Sequence, residues 1–400
     1  MVATVQRTRD WTVAVIRRKP AAVTAIGLLI FLGYLVSGPP TGRWDIPDRL
    51  SVIGTMLKGG GNLGDLGQDV VGFRRLWDCR DPYPVLGPAL LEIGVAWDVR
   101  HPSTHPPSAF LLVGPISHLD PAAVGGIWAT VGFGLLFLGL LAFRVPWLVS
   151  LGLALGLGAL WGPVAAAFQQ LTLVWLAAVS LAYRLRLRAP MLAGAAVGFA
   201  SLTKFLPLVV LGYFIFQRRF RAVIGAALVG AAATACIWFV CPSAFARYLE
   251  VNRGNTWATA MRTDNASVLM QAHHLLGNLG VGLALLYVAL ILAVNRRALL
   301  APQTAPRYSF FLYTFLAVFL LPICWGYSLA PLLPVVGYFL LEGRAGQIAV
   351  AAAAFLELAV VSPFGFAPLL ASAVILVSIL FLMRPPEERE SAGDGRGASR

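Results

Sequence analysis

Apolar runs of membrane length follow one another along nearly the whole chain, and this limits what it can fold into. In hydrocarbon every backbone N–H and C=O must be satisfied internally, so a spanning element is a helix or a strand of a closed barrel. The runs here are continuous rather than alternating, and they read as helices. A helical span takes roughly 20 apolar residues. The first run follows Arg17-Arg18-Lys19, and the others lie within 121–143, 145–161, 171–185, 191–203, 205–216, 222–240, 275–294, 308–323, 330–341, 347–361 and 367–383. The predicted fold is all-α: a polytopic integral membrane protein of about twelve transmembrane helices. It forms one domain over 1–383, followed by a polar tail over 384–400 that reads as disordered and cytoplasmic.

The charges agree with this reading. Only 12% of residues are charged, against about 25% in soluble proteins. Lys and Arg number 31 against 18 Asp and Glu, a net charge of +13. The excess sits in short turns, at Arg184, Arg186 and Arg188, at Arg218, Arg219 and Arg221, and at Arg296 and Arg297. That is the positive-inside pattern, not the footprint of a nucleic-acid partner. It places both termini in the cytoplasm and loops over 38–120 and 241–271 outside. No small-residue cleavage pattern follows the first run, which ends Val36-Ser37-Gly38-Pro39-Pro40, so it reads as a retained span. Two related halves, common in transporters, are not evident.

The loop over 38–120 gathers acids, bases, aromatics and prolines. GGGNLGDLGQD, ending at Asp69, reads as a flexible turn. Val70, Val71, Phe73, Leu76 and Trp77 then fall on one helical face. This predicts a short helix lying in the membrane interface, with Asp69 as its N-cap. Pro106-Pro107 opens SAFLLVGPISHL, which is too short to cross and contains Pro115; it reads as a second interfacial or re-entrant helix.

Four groups of residues could carry chemistry. Asp69 is an outer-face carboxylate that can take a proton from a hydroxyl within hydrogen-bond reach; as a cap alone it would be structural. His101 and His105 lie in HPSTHPP, where each Pro holds the residue before it extended. That disfavours a metal pair on a helix, and a zinc site needs further ligands, so His105 reads as a hydrogen-bonding or phosphate-facing residue, or as part of a solvated loop. Lys204 sits inside FASLTKFLPLVV. A charge there is costly unless it faces a cavity or a partner such as a lipid phosphate, or snorkels to the headgroups.

The second outer loop offers Arg253, Trp257, Arg262, Asp264 and Asn265, then His273-His274. These suit a sugar and its phosphate, and equally an aromatic belt. Asn265-Ala266-Ser267 matches the glycosylation sequon. Cys79 and Cys241 both fall outside, and a disulfide between them would join the two loops in an oxidising compartment; sequence alone does not establish it.

Three classes of function accommodate these residues. One is an enzyme working at the outer face. A polytopic transporter or lipid flippase without transferase activity would explain the spans and Lys204, but not the acid-bearing outer loop. A scaffold subunit with a degenerate site is the third.

The order of motifs resembles the GT-C superfamily of membrane glycosyltransferases, and within it glycosyltransferase family 87, which includes polyprenyl-phosphate-mannose-dependent alpha-mannosyltransferases. The family's early Asp with an aromatic residue four on falls on Asp69 and Phe73, where Tyr is usual. Its Tyr-Pro-Pro falls on His105, Pro106 and Pro107, and its Lys-x-x-Pro on Lys204 and Pro207. Its Asn-x-Ser falls on Asn265 and Ser267. Its late Pro-x-x-Trp falls on Pro322 and Trp325, followed by Gly326 and Tyr327 where the family often has His. The resemblance runs from Trp44 to Leu380, and its departures leave the sugar open.

The resemblance implies a GT-C-like fold and inverting transfer of a sugar, with mannose the leading choice, to a lipid-linked glycan or glycolipid acceptor. The donor would be a polyprenyl-phosphate sugar, used on the extracytoplasmic side of the plasma membrane. Sugar nucleotides are cytoplasmic, so a site outside needs a donor carried in the membrane. Phosphate leaves as a stable anion, so the scheme needs no general acid, metal or other cofactor. Asp69 would be the general base. Lys204, His105, Arg262, His273, His274 and Tyr327 would surround the donor. The expected partners are this donor, the acceptor and membrane lipids.

Overall fold

The computed structural model describes residues 63–95, 100–142, 171–262, 267–321, 326–356 and 367–383, with positions 25, 147–148, 150–152, 154, 265 and 324. The first apolar run, most of the 145–161 run and the 384–400 tail lie outside the described residues. Every regular element among the described residues is helical.

The polar segment that precedes the apolar helices forms α1 (Gly64–Trp77), α2 (Leu86–Leu91) and α3 (Pro107–Phe110), with a 3-10 turn at Gly114–Ile116. Apolar helices follow: α4 (Pro121–Ala142), α5 (Thr172–Leu185), α6 (Pro190–Ser201), a 3-10 stretch at Leu206–Val210 that runs into α7 (Leu211–Phe216), and α8 (Phe220–Val240). Next come α9 (Ala244–Ala260), α10 (Val268–Val294), α11 (Arg296–Leu300), α12 (Pro306–Phe319), α13 (Leu332–Glu342), α14 (Ala345–Leu356) and α15 (Ala367–Leu382).

Among the described residues three helices have the length and apolarity to cross a bilayer: Ala123–Ala142 within α4, then α8 and α10. Of the expected spans, α5, α6, Leu206–Phe216, Ala345–Phe355 and Ala371–Leu382 are apolar but shorter. Helix α6 has 12 residues. At 1.5 Å per residue such a helix rises ~18 Å, short of the roughly 30 Å of hydrocarbon. Exposed Phe220, Leu228 and Phe239 on α8, and Leu279, Leu283 and Leu286 on α10, give these two helices a face suited to lipid.

The described residues pack into two cores. In the bundle core, Trp175, Tyr213, Phe214, Tyr308, Phe310, Phe315, Phe339 and Phe381 interlock. The head core joins Leu66, Val70, Leu86, Leu90 and Phe110 to Val124 and Trp128 of α4, Val174 of α5 and Ile237 of α8.

Within lipid, helices associate by close packing at small residues rather than by escape from water. Gly194 and Gly198 on α6 face Ala222, Gly225 and Ala226 on α8, and a Cβ added at Gly194 would lie 1.7 Å from the Ala222 carbonyl oxygen. The two backbones therefore touch.

Two expectations for α1 are corrected. It starts at Gly64, so Asp69 lies inside the helix and is not its N-cap. A glycine costs a helix about 1 kcal/mol, and the Gly-rich run reads as a turn for that reason. Here burial of Leu63 and Leu66 and the approach of Leu90 to Gly67 outweigh that cost; a Cβ on Gly67 would lie 2.8 Å from the Leu90 side chain. Nor does α1 lie on a surface. Residues 66–73 are all buried, and of the apolar stripe only Trp77 is exposed. The segment after Pro106 is two short turns rather than one interfacial or re-entrant helix.

Candidate active site

Helix α1 is pressed against the segment that follows His105 by a reciprocal fit. A Cβ on Gly72 would sit 2.6 Å from the Phe110 ring, and one on Gly114 2.7 Å from the Phe73 ring. Arg74 fastens the far end of that segment, donating from Nε to the Ser117 carbonyl at 2.6 Å and from Nη2 to that of Leu119 at 3.1 Å. This docking brings two residues 36 positions apart together: Asp69 Oδ1 lies 2.8 Å from His105 Nδ1. Both are buried, Asp69 at 1% exposure and His105 at 8%.

The frame of His105 is held on both sides. Its N–H donates to Ser103 Oγ at 3.2 Å, and its carbonyl accepts from the Tyr83 hydroxyl at 3.0 Å. Pro106 follows in an extended conformation and Pro107 opens α3, a position where proline's missing N–H is not needed. Burial pushes the Tyr83 phenol well above its usual range, helped by Tyr248, Asp69 and Asp81, so Tyr83 stays a donor. Its ring packs on Phe110 and Tyr248.

The two polar loops are joined twice. Cys79 and Cys241 form a disulfide. Helix α1 ends in paired bonds from Cys79 N–H to the Leu76 carbonyl and from Arg80 N–H to that of Arg75. This ending puts its turning residue in the left-handed region, where glycine is usual; Cys79 occupies it with φ 46°. A non-glycine residue there costs on the order of 1 kcal/mol, and the position aims the thiol at Cys241. Two residues on, Asp81 accepts from Arg247 Nε at 3.2 Å and Nη2 at 3.0 Å. A disulfide of this kind contributes about 2–5 kcal/mol. Reduction, or Cys79→Ala, is therefore expected to lower the melting temperature of the purified protein; an unchanged melting temperature would show that the bond does not stabilise the fold.

Lys204 lies at the break between α6 and the 3-10 stretch that begins at Leu206. Its Nζ donates to Ser328 Oγ at 3.2 Å. Beside it, burial pushes the Cys324 thiol up to about 12, against the opposing pull of the Lys204 ammonium. Asn265 ties the second loop to this turn: its Oδ1 accepts from the N–H of Cys324 at 2.8 Å and of Ser267 at 3.1 Å, and its Nδ2 donates to the Ala260 carbonyl at 2.8 Å. Asn265 is fully buried, so its role is structural and no glycan can reach it there. Ser108, three residues after His105, donates to the Leu202 carbonyl at 3.0 Å, which ties the Asp69–His105 segment to the approach to Lys204.

Arg262, His273 and His274 gather where the second loop enters α10, with His274 Nε2 3.3 Å from the Arg262 carbonyl. Gly277 follows with φ 61° and ψ −144°, a conformation reserved for glycine, and it kinks α10 before the apolar part begins. Tyr327 falls in the 3-10 turn Gly326–Leu329; its side chain, and Pro322 and Trp325, lie outside the described residues. Among the described residues no three His, Cys, Asp or Glu side chains converge as a metal ligand set.

Asp81 and Tyr83 hold the site together, and sequence reasoning assigns neither of them a role. The signal is present in Asp81-Pro82-Tyr83, where Asp81 Oδ1 accepts the Tyr83 N–H at 3.0 Å as Asp does in turns. Ser108 and Ser328 carry no such signal.

A family model, that of glycosyltransferase family 87, matches residues 104–323, more than half of the chain. The chain belongs to glycosyltransferase family 87. It is accordingly a glycosyltransferase, and its apolar helices make it a membrane one. The match takes in His105, Lys204, Asn265, Arg262, His273 and His274, and starts beyond Asp69. No curated protein and no solved structure matches the chain.

Proposed function

We propose that this family 87 enzyme transfers a sugar, mannose, from a polyprenyl-phosphate donor to a lipid-linked glycan or glycolipid on the extracytoplasmic face of the plasma membrane, with inversion. The observation that carries this reading is the buried Asp69–His105 pair at 2.8 Å, in a segment bonded to the approach to Lys204. A carboxylate held against an imidazole is a proton acceptor for a hydroxyl, and such positioned transfer contributes about a hundredfold to ten-thousandfold. An ammonium at the end of a short apolar helix suits a departing lipid phosphate, and stabilising charge in this way often lowers a barrier more than proton transfer does. The disulfide between the two loops supports placing them outside the cytoplasm. Sugar nucleotides do not reach that side, so the donor has to come through the membrane.

The reading is tested by incubating the purified enzyme with polyprenyl-phosphate mannose and lipid acceptors, then measuring product mass. Gain of one hexose by the acceptor is expected; consumption of a sugar nucleotide in place of the lipid donor would overturn the assignment. Within this scheme Lys204→Ala should raise the apparent KM for the lipid donor by about tenfold or more, one charge-assisted contact being worth roughly 1.5–3 kcal/mol. An unchanged KM would move the phosphate site elsewhere.

A further inference from the structure

We propose that the atom that takes the acceptor's proton is Nε2 of His105, with Asp69 behind it as the carboxylate that fixes the ring and steadies its charged form. This rests on the glycosyl-transfer reading above and assigns roles within its base.

Three observations carry it. An ionised carboxylate only accepts hydrogen bonds, so the 2.8 Å contact places the ring proton on Nδ1 and makes Nε2 the basic nitrogen. The two side chains are layered: that of Asp69 is 1% accessible and that of His105 is 11%. An alcohol arriving from outside the head core meets the imidazole before the carboxylate. Finally, the backbone of His105 is fixed by Ser103 and Tyr83, which holds Nε2 in one place, as proton transfer requires.

The step balances. The acceptor oxygen forms a bond to the sugar C1 while the bond from C1 to the phosphate oxygen breaks, its electron pair leaving with the phosphate. The hydroxyl proton passes to Nε2. The imidazolium so formed lies against the Asp69 carboxylate, then returns its proton to water.

Among the described residues, these charged and titratable groups on the surrounding elements are engaged in other contacts. On α1, Arg74 points at the carbonyls of Ser117 and Leu119, and Arg75 pairs with Glu92. Asp81 pairs with Arg247 of α9, and Arg247 also reaches Glu250. Tyr83 stays protonated, and burial raises Tyr248 as well. The His101 ring turns to the Pro102 carbonyl, and Lys204, beyond Leu202, bonds Ser328. Asp69 lies in contact with the ring at Nδ1.

The test compares His105→Asn with the wild-type enzyme, using the lipid donor and acceptor. An Asn amide can donate to Asp69 much as Nδ1–H does, but it has no basic nitrogen. The expected result is a fall in kcat of about a hundredfold or more, with the donor KM little changed. In the wild type, kcat/KM should fall towards acid pH along an ionisation that has the large heat of an imidazolium and not the near-zero heat of a carboxyl group. That ionisation should be absent from the residual activity of His105→Asn. A variant within a few-fold of wild type, or a wild-type ionisation with the near-zero heat of a carboxyl group, would return the proton to Asp69 and leave His105 as a positioning residue. If His105→Asn does not fold, the wild-type profile decides alone. Absence of transfer by the wild type would instead sink the glycosyl-transfer reading.

Discussion

Asp69→Asn is expected to lower kcat by about a hundredfold to ten-thousandfold. The variant should still fold: an amide has nearly the volume of the carboxylate, and the surrounding Leu66, Val70 and Val71 are untouched. What changes is electrostatic. The imidazole of His105 loses the acceptor that holds its proton on Nδ1, and an amide facing it can stabilise either tautomer. The imidazolium formed during transfer also loses its counter-charge. Loss of the orienting carboxylate has large effects wherever an imidazole is the base. Elution, melting temperature and donor binding should match the wild type while product formation collapses. Because Asp69 is not a helix cap, weakened folding is not the expected outcome. Turnover within tenfold of wild type would remove the carboxylate from the chemistry.

Gly194→Leu is expected to abolish assembly of the bundle, read as loss of folded protein after detergent extraction. The new Cβ alone would lie 1.7 Å from the Ala222 carbonyl oxygen, which is backbone and cannot swing aside. The crossing is closed from both sides, since a Cβ on Gly225 would lie 2.0 Å from the Met191 carbonyl oxygen. Relief requires α6 and α8 to separate, and with α6 would go Leu202, the partner of Ser108, and then Lys204. An inward-facing glycine at such a contact has no tolerant substitution, whereas Gly230, with nothing within 4 Å of an added Cβ, should accept alanine. Equal yields for Gly194→Leu and Gly230→Ala would contradict the packing described.

Much of this is legible in the chain because each signal is local. Apolar runs bounded by Arg clusters announce a helical membrane protein. Lys204 stands out because a charge inside apolar sequence needs a reason. Asp69 and His105 each draw attention from their immediate neighbours. Their contact does not, since it depends on Phe110 closing over Gly72 and Phe73 over Gly114, a fit between segments that no periodicity encodes. The disulfide is one option among several until the turn at Cys79 places its thiol by Cys241. The start of α1 misleads for a physical reason: Gly64 and Gly67 weaken a helix locally, and burial against Leu90 restores it through contacts far along the chain. Asn265 misleads in the opposite way, since a sequon reports on sequence and not on the burial that makes this asparagine a structural tie.

The proposed chemistry turns on a proton acceptor, not a nucleophile, at the head of the chain. A single displacement with a base inverts the sugar's anomeric centre; a route through a covalent sugar–Asp69 intermediate inverts twice and retains it. Proton NMR of the purified product, formed from a polyprenyl-phosphate β-mannose donor, distinguishes the two directly. The α-linked product is predicted. A β-linked product would contradict the central assignment, because Asp69 would then have attacked the sugar itself.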